Sequence, residues 1–93
     1  MNSLMETLEM EIMATGQICN IDREERRFEI MTGQDFLSLI RFNLPEDAKI
    51  LDCMGKSMDF TELTIGMPVQ VRHANFMTAS LPPQTTAYEV RVQ

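Results

Sequence analysis

Alternation of apolar and polar side chains recurs in four separate segments of this chain, and it predicts β-strands. In "LEMEIMATGQI" the apolar set Leu8, Met10, Ile12, Ala14 and Ile18 alternates with Glu9, Glu11, Thr15 and Gln17, a period of two that marks a half-buried strand. Gly16 falls on the inward face, where a missing side chain lets a coiled strand bend. "NIDREERRFEIM" reads as a hairpin with a polar turn at Asp22, Arg23, Glu24 and Glu25, after which Phe28 and Ile30 resume the inward alternation and Glu29 points out. After a second turn at "TGQD", "FLSLIRFNL" gives a third strand with Phe36, Ile40 and Phe42 on one face. Leu37 and Leu39 make the other face apolar too, so either both faces are covered or the second is an interface.

The middle of the chain breaks this rhythm. "LPEDAKI" places Pro45 at the first position of a helical turn with Glu46 and Asp47 near its positive end. "KILDC" predicts a short strand, "MGKS" a turn, and "DFTEL" a second helical turn capped by Asp59, with Glu62 three residues on, Phe60 and Leu63 facing inward and Gly66 ending it. "MPVQVRHA" then points Val69, Val71 and His73 one way and Gln70 and Arg72 the other. "AYEVRVQ" is the last strand, with Tyr88, Val90 and Val92 inward. Five main strands, a long bent first one and short helical turns between the third and fourth predict an all-β fold. It is a small five- to six-stranded OB-like Greek-key barrel with one or two short helical turns, and a meander sandwich is the alternative.

Size and charge narrow what such a barrel can do. The 93 residues form one domain, 1–93, with residues 1–7 expected at a frayed start, and a chain this short has little room for a deep enclosed active site. Fourteen acidic against eight basic side chains give a formal charge of −6, which repels phosphate backbones and anionic lipid, so neither nucleic acid nor a membrane is an expected partner. The start "MNSLMETLEMEIM" lacks the basic and apolar regions of a signal peptide, and no apolar run approaches the roughly 20 residues of a membrane span, so the expected compartment is the cytoplasm. Cys19 and Cys53 have neither CxxC spacing nor a neighbouring His, and are read as two unpaired thiols.

The distinctive stretch is "HANFMTASLPPQTTAYEV". Together with "GQICNID", "RRFEI", "FTELTIGMPVQV" and "AYEVRV" it resembles small OB-like domains of uncharacterised clostridial and bacillary proteins, which carry a His-x-x-x-Met-Thr-x-Ser-x-Pro-Pro-Gln tail. His73, Met77, Thr78, Ser80, Pro82, Pro83 and Gln84 are the matching positions. The resemblance implies the fold and no activity, and many members of that family look exported. A looser similarity is to the copper- and silver-binding periplasmic chaperones of efflux systems, also small OB barrels, which bind Cu(I) through His and Met on the second and third strands under a Trp. This chain has Met31 in that region, no His there and no Trp.

No catalytic constellation emerges. His73 is the sole histidine, the nearby hydroxyls are Thr78 and Ser80, and the carboxylate pairs Glu9/Glu11 and Glu24/Glu25 fall on outer faces or turns. His73 is either the inward end of a strand, bonding a backbone carbonyl, or a ligand; with Met77 it would make two soft donors, too few for tight Cu(I) binding. Pro82 and Pro83 cannot donate backbone hydrogen bonds, so "SLPPQ" is a stiff segment outside the ladder, with Thr78, Ser80 and Gln84 able to satisfy the backbone it leaves free. The sequence therefore describes a non-enzymatic β-barrel module without cofactor or metal. Its protein or small-ligand contacts are assigned to His73, Phe76, Met77, Thr78, Ser80, Pro82, Pro83 and Gln84. An outer apolar patch of Met13, Met31, Leu37 and Leu39 is expected to support self-association into a homo-oligomer or partner binding, the alternative being that a helix or the N-terminal segment folds over it. Its rivals are a soft-metal carrier and a single-stranded nucleic-acid binder, the latter needing more than the turn cluster of Arg23, Arg26 and Arg27.

Overall fold

The first strand is long enough to serve two neighbours, and the architecture follows from that. The computed structural model describes residues 12–33 and 38–93. Strand β1 (Ile12–Asp22) pairs through its first half with β5 (Pro68–His73) and through its second half with β2 (Arg27–Met31), both antiparallel. The changeover comes at Gly16 and Gln17. A Cβ on Gly16 would overlap the backbone carbonyl of Met31, so only glycine lets β2 cross this close to β1.

The ring closes through β3 (Leu39–Asn43), antiparallel to β2, and β6 (Gln84–Val92), which runs parallel to β3 at its start and antiparallel to β5 beyond. The circuit β1-β2-β3-β6-β5 is a closed five-stranded barrel. Short β4 (Lys49–Leu51) adds a sixth strand, parallel to the second half of β6. This is the expected all-β, OB-type connectivity. The front of the first expected strand (Leu8, Glu9, Met10, Glu11), the expected frayed start, and Phe36 and Leu37 lie outside the described residues.

Inward residues of all six strands meet in one core. Ile18, Phe28, Ile30, Phe42, Leu44, Ile50, Phe60, Leu63, Val69, Val71, Ala87 and Val90 are buried together, and Phe28 and Phe42, opposite each other in register, place their ring centroids 5.4 Å apart. The alternation predicted for β2, β3 and β5 holds; in β1 Ala14 and Ile18 turn inward as expected, but Ile12, expected inward, is 48% exposed, and the register shifts after Ile18. In β6 it changes phase: Arg72 pairs with Glu89 but His73 with Ala87, so Tyr88 is an extra residue that bulges out. Thr85, Ala87 and Val90 are buried, and Tyr88, expected inward, is 43% exposed.

The predicted turn at "DFTEL" is a 3-10 turn (Phe60–Glu62) with a full capping box. Asp59 Oδ2 accepts from Thr61 N at 3.1 Å, and Glu62 Oε1 accepts from Asp59 N at 2.8 Å. The Thr61 hydroxyl and then its amide hold the Asp59 carboxyl below its ordinary pKa, so the cap contributes above the usual carboxylate range and fades as pH falls through the lowered value. Gly66 does not end this turn. Leu63 is its C-cap, and Gly66, at φ 97°, sits in the next tight turn, where Met67 N reaches Thr64 O at 3.3 Å. The expected turn after Pro45 is one hydrogen-bonded turn, closed by Ala48 N to Pro45 O at 3.0 Å.

Gly16→Ala tests the crossing. The obstacle is backbone, which cannot swing aside as a side chain can, so the substitution should cost about 1–3 kcal/mol, read as a lower urea midpoint at unchanged slope.

Candidate binding loop and outer cleft

Between β5 and β6 the chain leaves the barrel for ten residues, 74–83, and the assigned site residues lie on this loop or at its roots. His73 is the last inward residue of β5 and only 2% exposed. Its ring packs on Phe42 with centroids 5.3 Å apart, and its Nδ1 donates to the Ala74 carbonyl at 2.8 Å. The same carbonyl lies 3.4 Å from the hydroxyl of buried Thr85, at the other root of the loop. The imidazole thus fills the inner end of β5, while the Thr85 hydroxyl and the Ala74 N–H, which donates to Thr86 O at 2.9 Å, tie the loop's exit to its return.

The hydroxyls form a chain in which every donor has an acceptor. Gln84 N donates to Thr78 Oγ1 at 3.1 Å, Thr78 Oγ1 and Ser80 Oγ are 2.7 Å apart, and Ser80 Oγ donates to the Pro82 carbonyl at 2.9 Å. With the serine proton committed to Pro82, Thr78 is the donor to Ser80, so the bonds run in one direction and polarise one another. Thr78 N donates back to Gln84 O at 2.9 Å, and Arg41 N of β3 donates to Pro83 O at 2.9 Å. Pro82, after a cis Leu81–Pro82 bond, and Pro83 are half-buried against the barrel. Phe76, Met77 and Leu81 project from this braced frame, 58%, 42% and 87% exposed. The structure therefore brings Thr78, Ser80, Pro82, Pro83 and Gln84 together, displays Phe76 and Met77 to solvent, and buries His73 beneath them.

The expected outer apolar patch is divided. Met31 and Leu39 are cross-strand partners and half-buried, but Met13 pairs with Arg72 on the β5 side, four residues or roughly 13 Å along β1 from Gln17, the partner of Met31. Leu37 lies outside the described residues.

A second feature escaped the sequence reading. The outer face of β1, β2 and β3 carries a shallow cleft of about 120 Å³ lined by Asn20, Asp22, Arg27, Phe28, Glu29 and Arg41. Cross-strand register assembles it, setting Asn20 beside Glu29 and Arg41, and Asp22 beside Arg27. Arg41 grips Glu29 at 2.8 Å and Arg27 stands 3.6 Å from Asp22, so the charges balance within the cleft. The signal was present as outward polar residues on successive strands, but their alignment needs the register. The turn arginines are likewise engaged. Arg23 donates to Leu63 O at 2.9 Å and Phe60 O at 3.4 Å, at the end of the 3-10 turn. Arg26, at φ 53°, donates Nε to Leu44 O at 3.1 Å and stacks 5.1 Å over Phe60.

Both cysteines are free, in different settings. Cys19 is the extra residue at a register shift in β1, half-buried, with Sγ 3.5 Å from Glu29 O. Burial and then the Glu29 charge push its thiol pKa up. Cys53 lies exposed in the turn after β4. Among the described residues no three His, Cys, Asp or Glu side chains converge as a metal site.

This fold is a closed OB-type barrel with a short additional strand. Among solved structures it is similar to CusF of Escherichia coli. Against the Ag(I)-bound form the TM-score is 0.62 at 18% identity, covering 91% of this chain and 94% of that one. Against the apo form it is 0.59 at 19% identity, covering 91% and 89%. No protein-family model and no curated protein matches the sequence. At this identity the likeness is one of fold.

Two measurements follow. His73→Ala removes the shorter of the two hydrogen bonds to the Ala74 carbonyl and leaves a void beside Phe42, and should cost about 1–3 kcal/mol, whereas Thr78→Val, in a solvated loop, should cost about 0.5–1.5 kcal/mol, both read by urea unfolding. With a disulfide reagent at mildly alkaline pH, Cys53 should react at least about tenfold faster than Cys19, and Cys53→Ala should leave only the slow phase.

Proposed function

We propose that this protein is a non-enzymatic binding module that engages a partner protein through the β5–β6 loop. The observation that carries this reading is the pairing of exposure with rigidity. Phe76, Met77 and Leu81 stand in solvent on a loop whose backbone is fixed by the Thr78–Ser80–Pro82 hydroxyl chain and by Arg41. Apolar side chains held in place lose little conformational freedom on binding, and a partner offering an apolar groove gains their full burial. A loop whose only task was to close the barrel would turn those three side chains inward.

Metal carriage has less to support it. The outer face of β2 and β3, where the efflux-chaperone resemblance implies His and Met ligands, holds Arg27, Glu29 and Met31 opposite Asn43, Arg41 and Leu39. One thioether beside a closed Glu29–Arg41 ion pair does not fit a Cu(I) or Ag(I) site. Single-stranded nucleic acid binding is disfavoured by the engagement of Arg23, Arg26, Arg27 and Arg41 with the protein's own carbonyls and carboxylates.

The test is differential capture. Wild-type protein and a Phe76→Ser/Leu81→Ser variant, matched in melting temperature, are immobilised and exposed to lysate of the source cells. The proteins retained by the wild type should bind the variant at least about tenfold more weakly. An identical retained set on both surfaces would remove the loop from the reading.

A further inference from the structure

We infer that the outer cleft between β1, β2 and β3 binds a small zwitterion, a free α-amino acid of the size of glycine, alanine or serine. The inference is independent of the loop reading and uses none of the loop's side chains. It starts from how the polar groups of the cleft are held, since each is anchored on one side and unused on the other. Asp22 accepts the Glu25 amide on Oδ1 at 3.2 Å, which fixes the carboxylate, and its Oδ2 stands 3.6 Å from Arg27. Arg27 lies between that oxygen and Glu25 Oε1, 4.0 Å away, and both separations exceed hydrogen-bond reach. Its charge is answered, but among the described residues its guanidinium N–H groups donate to no acceptor.

The other two polar walls repeat the pattern. Asn20 accepts the Ile21 amide on Oδ1 at 3.1 Å, which leaves its NH2 group. Arg41 sets Nε and Nη2 on one oxygen of Glu29, Oε2, at 2.9 and 2.8 Å, which leaves Oε1. One space of about 120 Å³ therefore gathers donors from Arg27 and Asn20 and acceptors from Asp22 and Glu29. The cleft lies at the far end of β1 from its start, with Asn20 eight residues or roughly 26 Å along the strand from Ile12.

This composition selects the occupant. A lone anion drawn to Arg27 also meets Asp22, and a lone cation drawn to Asp22 also meets Arg27, so each gains an attraction and a repulsion of similar size. A zwitterion meets both favourably. Its ammonium donates to Asp22 and Glu29 while its carboxylate accepts from the fork of Arg27 and the amide of Asn20. In an α-amino acid, covalent geometry holds the ammonium nitrogen and the carboxylate oxygens about 3 Å apart. That spacing is close to the 3.6 Å between Asp22 and Arg27, so the ligand's two charges can lie antiparallel to the protein's. The volume is that of about four waters, enough for the common part of an amino acid and a small side chain.

The experiment is an amide NMR titration of the whole protein, at fixed pH and ionic strength and up to tens of millimolar, with three probes: L-alanine, alaninamide and N-acetylalanine. L-Alanine should shift the amides of Asn20, Asp22, Arg27 and Glu29 saturably, with a Kd of about millimolar because the site is half-solvated. Alaninamide keeps only the cation and N-acetylalanine only the anion, and each should bind at least about tenfold more weakly. Asp22→Asn, which retains an acceptor for the Glu25 amide, and Arg27→Gln should each weaken L-alanine by at least about tenfold with the rest of the spectrum unchanged; Asp22→Asn decides if the other perturbs the hairpin. The inference is overturned by no saturable shift with L-alanine, by equal affinity for the three probes, or by undiminished binding to Asp22→Asn. Preference for N-acetylalanine overturns it too, and makes the cleft a carboxylate site.

Discussion

The close crossing of β2 over Gly16 is the constraint on which the barrel depends. An open sheet leaves its two edge strands with one unpaired side, whereas a barrel of five short strands closes when one long strand takes different neighbours along its two halves. Here β1 does so, and the changeover brings the Met31 carbonyl to where a side chain would stand. Once β1 is bent, its first half carries β5 and the loop, and its second half carries β2, β3 and the cleft.

Charge is sorted along the same division. On the β1–β2 side arginines act inward, capping carbonyls, stacking over Phe60 or closing ion pairs, and little of their charge is left uncompensated. On the β5–β6–β4 side Arg72 and Arg91 reach the same Glu89 carboxylate from neighbouring rows of the sheet, at 3.5 and 3.6 Å.

Much of the barrel was legible because period-two alternation is a direct image of one face buried and one face wet. The capping box at Asp59 and Glu62 was legible for the same local reason: its bonds span three residues. Tyr88 was misplaced because a bulge is decided by the partner strand. Nothing within "TTAYEVRVQ" says that His73 will pair with Ala87 while Arg72 pairs with Glu89. Gly66 was misassigned because a glycine after a helical turn and a glycine in the next tight turn look alike in sequence. At the loop, residue types pointed to a stiff self-bonded segment, and the hydroxyl chain has that character. The cleft was invisible, since it is assembled from residues of three strands whose register exists only in the folded sheet.

The turn at Arg23 and Arg26 has a kinetic consequence. The β1–β2 hairpin is local, but Arg23 must find the carbonyls of Phe60 and Leu63, 37 and 40 residues along the chain, and Ile12 must meet His73 before β5 can dock. Nearly every contact that closes the ring therefore joins distant parts of the chain, and the loop entropy is lost before the core rewards it. A barrel so wired assembles through a slow search from an early hairpin. Until that search ends, the newly made chain exposes the apolar faces of β5 and β6 that the native molecule keeps inside.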